Sequence, residues 1–241
     1  MARQIILDTE TTGMNQGSGP VYQDHRIIEI GCVEVINRRL TGNNFHVYIK
    51  PDRMVDPEAM EVHGITDEFL ADKPSFADVG PEFLDYIRGA EIVAHNASFD
   101  VSFMDHEFNL EKLGVQTSDI CQVTDSLAMA KKLFPGQRNS LDALCKRYGI
   151  DNSHRTLHGA LLDAEILADV YLLMTGGQTA LNLASEFDGD AGEVGAIRRL
   201  NSQRPALKII QASADELNNH RERLELVKKK GGACIWLGES E

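Results

Sequence analysis

No cysteine pair spaced as CxxC occurs in these 241 residues; the four cysteines, Cys32, Cys121, Cys145 and Cys234, lie far apart. This argues against a zinc ribbon or a disulfide framework and fits reduced thiols in a cytosol. No apolar run approaches the ~18 residues of a membrane span. The opening Met1-Ala2-Arg3-Gln4-Ile5-Ile6-Leu7-Asp8 meets an acid before a signal-peptide core can form, so a cytoplasmic chain is expected. A basic excess is missing too: 24 Lys and Arg stand against 37 Asp and Glu, a net −13. General phosphate neutralisation is therefore a poor way for this chain to hold nucleic acid. Gripping a chain end through bound metal ions stays open. Internal repeats are also absent.

Apolar residues make up 42% and charged residues 25%, enough to bury a sizeable core. The acidity is uneven: residues 1–175 hold 27 acids and 15 bases, whereas 176–241 hold 10 and 9. Two regions with different tasks are implied.

Ile5-Ile6-Leu7 reads as a short buried strand ending at Asp8. Further strands are expected over Arg26–Ile36, Phe45–Ile49, Glu91–His95 and Cys121–Thr124. Helices are expected over Ser75–Arg88, broken or restarted at Gly80-Pro81, and over Ala97–Leu110. Others follow near Ser126–Phe134, over Ser140–Tyr148 with Gly149 as its stop, and over Leu157–Thr175. Strands first, then strands alternating with helices, predict an α/β fold with a mixed sheet. Residues 186–195 are acidic and glycine-rich, a linker composition. Beyond them, Ala206–Gln211 suits a strand, and Ser213 to Glu216 is a capping box opening a helix that ends at Lys228-Lys229-Lys230. This tail is too short to bury much by itself.

Asp8 and Glu10 stand at i and i+2 by a buried strand, where an extended backbone points both side chains the same way. Their repulsion turns favourable with a divalent cation between them. The spacing alone equally describes two solvated turn acids. Asp100 falls in the first turn of the helix after Glu91–His95, where a helix-start acid is also commonplace, and Asn96 there reads as a cap. His158 and Asp163 are five residues apart, a turn of ~140° on a helix with ~3.6 residues per turn. They meet only if His158 lies in the loop ahead of the helix; by itself His158 also reads as a capping or surface histidine. Four acids and a histidine together form a set suited to two-metal hydrolysis with Mg²⁺ or Mn²⁺, the imidazole deprotonating the water.

Asp8 to Gly13, His95 to Asp100 and His158 to Asp163 resemble the three motifs of the DEDDh exonucleases, in their usual order. Pro57 to Ala59 and Val62 to Ile65 resemble that family's substrate-pocket segment. Met14 to Gln16, Arg38 to Val47 and Arg138 to Leu144 are similar to the proofreading exonuclease subunits of bacterial replicative polymerases. The likeness spans roughly residues 3–178 and returns at Lys228 to Gly232. It implies an RNase H-like exonuclease domain over residues 1–177, a clamp-binding peptide and linker over 178–205, and a polymerase-binding segment over 206–241. It further implies two divalent cations, with Asp8, Glu10 and Asp163 on one and Asp8 reaching the other. Asp100 would assist directly or through water, and His158 would be the general base. Glu58 and His63 would touch the terminal nucleotide, although they equally suit a first-turn helix acid and a satisfied turn histidine. Backbone near Thr9–Thr11 would line the nucleotide's pocket.

Gln178, Leu181 and Leu183 resemble the short peptide that plugs into the bacterial sliding clamp: two apolar anchors in a groove and a glutamine at its rim. Leu183 departs from the frequent Phe. The tail resembles the segment that attaches such subunits to the polymerase alpha subunit, with Leu217, Leu224, Val227 and Trp236 as docking candidates. A small theta subunit would bind the exonuclease domain. The expected activity is 3′→5′ removal of mispaired DNA ends in the replisome. Two readings compete with it, an exoribonuclease or repair exonuclease of the same family and a catalytically silent scaffold between clamp and polymerase. Four converging acids would be idle in a scaffold.

Overall fold

The computed structural model describes residues 3–153, 157–176, 211–232 and 234–237. The chain divides into two compact units, Met1–Leu183 and Ala184–Glu241. In the first, the strands in chain order are β1 (Arg3–Thr11), β2 (Ile27–Ile36), β3 (Arg39–Leu40), β4 (Phe45–Tyr48), β5 (Glu91–Ala94) and β6 (Gln122–Asp125). Its helices are α1 (Pro57–His63), α2 (Asp67–Leu70), α3 (Phe76–Ile87), α4 (Ala97–Leu110), α5 (Thr117–Ile120), α6 (Ser126–Leu133), α7 (Leu141–Tyr148) and α8 (Ala160–Thr175).

The strands join as β3-β2-β1-β5-β6, with β4 also paired to β2. β1 is antiparallel to β2 throughout, but its parallel pairing with β5 covers only Gln4 to Ile6. From Leu7 onward β1 projects past the parallel half of the sheet. This accounts for one difference from expectation: the strand does not end at Asp8 but continues to Thr11, because β2 supplies its backbone partners. Between Glu10 and Thr11 the register skips from Glu29 to Ile27, an irregularity of the kind that re-aims side chains at a sheet rim.

Alternation along β1 divides its residues between two cores. Ile5 and Leu7 pack with Phe76, Phe83, Phe103 and Phe108 of α3 and α4. Ile6, with Val33, Val35 and Val93, packs against Leu144, Ala164, Leu167 and Val170 of α7 and α8. Asp8 and Glu10 continue the series of Ile6, toward α8, and Thr9 points with Leu7, toward α4. Gly31, opposite Asp8 in β2, lies on the α8 side. A Cβ there would collide with the Ala160 carbonyl carbon and with Leu161 N and Cα, so only glycine lets the helix rest on the strand here.

α4 has the expected bounds, and α7 ends at Gly149 in the left-handed region, with φ 70°. α3 is not broken at Gly80-Pro81; it runs unbroken through Pro81. A proline inside a helix costs about 3 kcal/mol. The burial of Phe76, Val79, Phe83, Leu84 and Ile87, with a Ser75–Asp78 capping box, offsets that cost.

In the second unit, α9 (Ala214–Gly231) opens with the expected capping box: Glu216 N donates to Ser213 Oγ at 3.3 Å, and Ser213 N donates to Glu216 Oε2 at 2.7 Å. None of its residues is buried. Leu217 and Val227 are exposed and Leu224 is half-buried; Trp236, in a short 3₁₀ turn, is 84% exposed. Gln178, Leu181, Leu183, the 186–195 linker and most of the strand expected at Ala206–Gln211 lie outside the described residues.

Candidate active site

Four separate stretches of chain meet where β1 outruns β5. A cavity of about 290 Å³ there is lined by Asp8, Thr9 and Glu10 of β1, by Asp100 of α4, by His158 and Asp163, and by Ser140 to Asp142 at the start of α7. Oxygens of Glu10 and Asp163 and a ring nitrogen of His158 all lie within 4.8 Å of one another. Asp8 faces the same cavity from outside that trio.

His158 precedes α8, as the five-residue spacing requires, and α8 begins at Ala160 rather than at Leu157. Its Nδ1 is 3.1 Å from Asp163 Oδ2, with the imidazole 46% exposed and the carboxylate nearly covered. Two contacts dock this loop on α1: His158 N donates to Val62 O at 3.1 Å, and Leu157 lies over Gly64.

Asp100 is 3% exposed, and Thr9 Oγ1 donates to its Oδ1 at 2.8 Å. Burial pushes its carboxyl up to about 7, against the opposing pull of the Thr9 hydrogen bonds. Burial first, and then the charges of Asp100 and Asp8, also lift the Cys32 thiol well above its ordinary value. Two acids on β1, two more on helix first turns and one imidazole make a hard, mostly oxygen donor set. It fits a divalent cation of the Mg²⁺ or Mn²⁺ type.

Glu58 and His63 do not line this cavity. Both sit on α1, Glu58 exposed in the first turn and His63 buried in the last. His63 Nδ1 accepts from Ile65 N at 3.0 Å, so its proton is on Nε2, which is buried without a hydrogen-bond partner among the described residues. Burial lowers its pKa and keeps the ring neutral. An orphan donor of this kind suits a ligand acceptor.

A model of the exonuclease family, of RNase T type, matches residues 5–171. The DNA polymerase III subunit epsilon of Salmonella typhimurium is 66% identical over 238 residues, 98% of each chain. That of Escherichia coli is 63% identical over 238 residues, again 98% of each. The chain belongs to the DNA polymerase III epsilon family of exonucleases. Its activity is that of a proofreading 3′→5′ exonuclease. A solved structure of exonuclease X with 5′-overhanging duplex DNA is 33% identical, with a TM-score of 0.55 over 75% of this chain and 95% of that one. The complex of E. coli exonuclease I with single-stranded DNA shares the fold, with a TM-score of 0.62 at 20% identity over 74% of this chain and 41% of that one. Enzymes of this family generally depend on divalent metal.

Sequence reasoning did not find several residues of the site. Thr9 is the hydroxyl that holds Asp100. His95 Nε2 donates to Asn139 O at 2.9 Å and its Nδ1 lies 3.0 Å from Ser126 Oγ, which ties the end of β5 to the loop that opens α7. Glu29, like Glu34, is an acid inside an apolar strand, a pattern that marks it as partnered without naming the partner.

Proposed function

We propose that the chain removes mispaired nucleotides from DNA 3′ ends by two-metal hydrolysis, with Asp8, Glu10 and Asp163 as metal ligands, Asp100 assisting and His158 as general base. The observation that carries this reading is the convergence of Glu10, His158 and Asp163 within 4.8 Å, from sequence positions up to 153 residues apart. Bound to these carboxylates, a pair of Mg²⁺ or Mn²⁺ ions would activate the attacking water and neutralise charge on the leaving oxygen. With His158 Nδ1 turned to Asp163 Oδ2, proton acceptance falls to Nε2 of this half-exposed ring. Thr9 keeps the Asp100 carboxylate aimed at the cavity. The sugar and base of the terminal nucleotide rest against α1, where His63 Nε2 offers its proton and Glu58 an acceptor. Mispaired ends react faster because a mismatch lowers the cost of unpairing.

The surroundings of the reaction are read from the family. The subunit acts in the cytoplasm, in the nucleoid-associated replisome. The alpha subunit binds the 206–241 segment, the theta subunit binds the exonuclease domain of residues 1–177, and the sliding clamp binds Gln178, Leu181 and Leu183 within the 178–205 linker. Exposed Leu217, Val227 and Trp236 support an apolar dock in the tail. An acidic nuclease with little phosphate-binding charge gains substrate by tethering.

The test is hydrolysis of 3′-labelled matched DNA, mismatched DNA and RNA, with Mg²⁺, with Mn²⁺ and with chelator. Metal-dependent release of 5′-mononucleotides, fastest from mismatched DNA, is expected. Metal-independent hydrolysis or a preference for RNA would overturn the reading. Deleting 186–241 is expected to keep hydrolysis and abolish co-elution with the alpha subunit.

A further inference from the structure

We propose that Glu29 is a positioning residue for this reaction, a remote helix cap that sets the height of the first turn of α8, and with it His158 and Asp163, above Asp8 and Glu10. The inference rests on the roles given to those four residues in the preceding subsection.

Glu29 lies in the middle of the sheet, opposite Glu10 on one side and Tyr48 on the other, and only 2% of it is exposed. Its face of β2 otherwise carries Gly31, Val33 and Val35. A carboxylate among such neighbours is costly unless both oxygens find donors. Both do. Oε1 lies 2.7 Å from His46 Nε2 on the adjacent strand, and Oε2 accepts from the Ala160 backbone N at 3.1 Å.

The second contact explains why an acid is here. The first amides of a helix have no partner within it and usually take one from the side chain of the N-cap residue. α8 is preceded by Gly159, which has no side chain to offer. The cap comes instead from Glu29, 131 residues earlier in the chain, and its negative charge sits at the positive end of the helix dipole. Ala160 is two residues after His158 and three before Asp163. The bond therefore grips the backbone between the base and the buried ligand.

Gly31 completes the seat. It stands two residues along β2 on the same face, and its missing Cβ lets Ala160 and Leu161 lie directly on the strand. Since Gly31 pairs with Asp8 and Glu29 with Glu10, the residues that seat α8 are in register with the two acids that α8 must meet. The strand pairing thus transfers the position of one half of the site to the other. His46 keeps the Glu29 carboxylate from rotating away.

The test uses the full chain with Glu29→Gln, Glu29→Ala and Glu29→Asp. Glutamine keeps an oxygen for Ala160 N, and its amide donates to His46 Nε2 once the ring proton moves to Nδ1. Alanine removes both contacts, and aspartate is too short to span them. Steady-state hydrolysis of mismatched DNA and Mn²⁺ binding by water-proton relaxation are measured for each. Misplacing catalytic groups by ~1 Å lowers rates on the order of 10²-fold. For Glu29→Ala and Glu29→Asp we expect a fall in kcat of that order, KM for DNA within about threefold of wild type, and Mn²⁺ affinity at least about tenfold weaker. Glu29→Gln is expected to restore both to within about threefold. If Glu29→Ala does not fold, Glu29→Asp and Glu29→Gln decide by the same two readings. Retention of kcat and Mn²⁺ affinity in Glu29→Asp, a loss confined to KM, or an equal loss in Glu29→Gln would overturn the proposal. Failure of the wild-type chain to hydrolyse DNA would instead sink the underlying reading.

Discussion

His158 Nδ1 lies 3.1 Å from Asp163 Oδ2, although five residues of continuous helix would turn these side chains ~140° apart. The two meet because the chain is extended through Gly159 and becomes helical only at Ala160. An imidazole on a loop and a carboxylate on the adjoining helix thus share one cavity, the ring half-exposed and the carboxylate nearly covered.

Removing the imidazole should spare binding and cost rate. His158→Ala is expected to lower kcat by roughly 10²–10⁴-fold, the usual worth of a general base, with KM for a mismatched end changed only a few-fold. Single-turnover kinetics on 3′-labelled DNA measure this. An undiminished rate would remove His158 from the reaction.

Asp8→Ala and Asp163→Ala should abolish hydrolysis while the fold survives. Both variants are expected to keep the wild-type circular dichroism spectrum, since each relieves charge repulsion in a site without metal. Metal-dependent activity at the wild-type level in either would show that the ligand set is misassigned.

Gly31→Ala is a one-methyl change with an effect on both stability and rate. The added Cβ displaces the backbone of Ala160 and Leu161, and overpacking of this kind costs ~1–3 kcal/mol. Urea unfolding should record a loss in that range, and kcat should fall with it. Wild-type values for both would mean that α8 can lift from the strand without consequence.

Asp100 predicts a pH signature in the metal-free protein. Its carboxyl is raised by burial to about 7 in the folded state, from an ordinary 3.8. Between these values the folded chain holds a proton that the unfolded chain has released, so stability falls as pH rises through this window and is fully present below it. Relative to Asp100→Asn, the wild type should lose on the order of 2–4 kcal/mol between pH 4 and 8 in chelator. Denaturant unfolding of the two proteins across that range checks the sign; parallel curves would refute it.

The residues that meet in the cavity were more legible in the sequence than the contacts that support them. Asp8, Glu10, Asp100, His158 and Asp163 stand in local motifs whose spacing is set by a strand, a helix start and a loop, and α4 has the bounds expected of it. The end of β1 was misread because Asp8 to Thr11 look like loop residues. Their place in the sheet depends on pairing with β2, which local composition does not contain. Gly80-Pro81 looked like a break for the converse reason: the residues that cover the apolar side chains of α3 on both sides of it belong to other elements. Glu29 was invisible as a cap because the amide it serves is 131 residues away.

Cys32 sits directly opposite Leu7, sealed in the apolar layer under the carboxylates, where its thiolate is suppressed. Thiolate is the form that peroxide and alkylating agents attack. Cys32 is therefore the wrong handle for covalent inhibition.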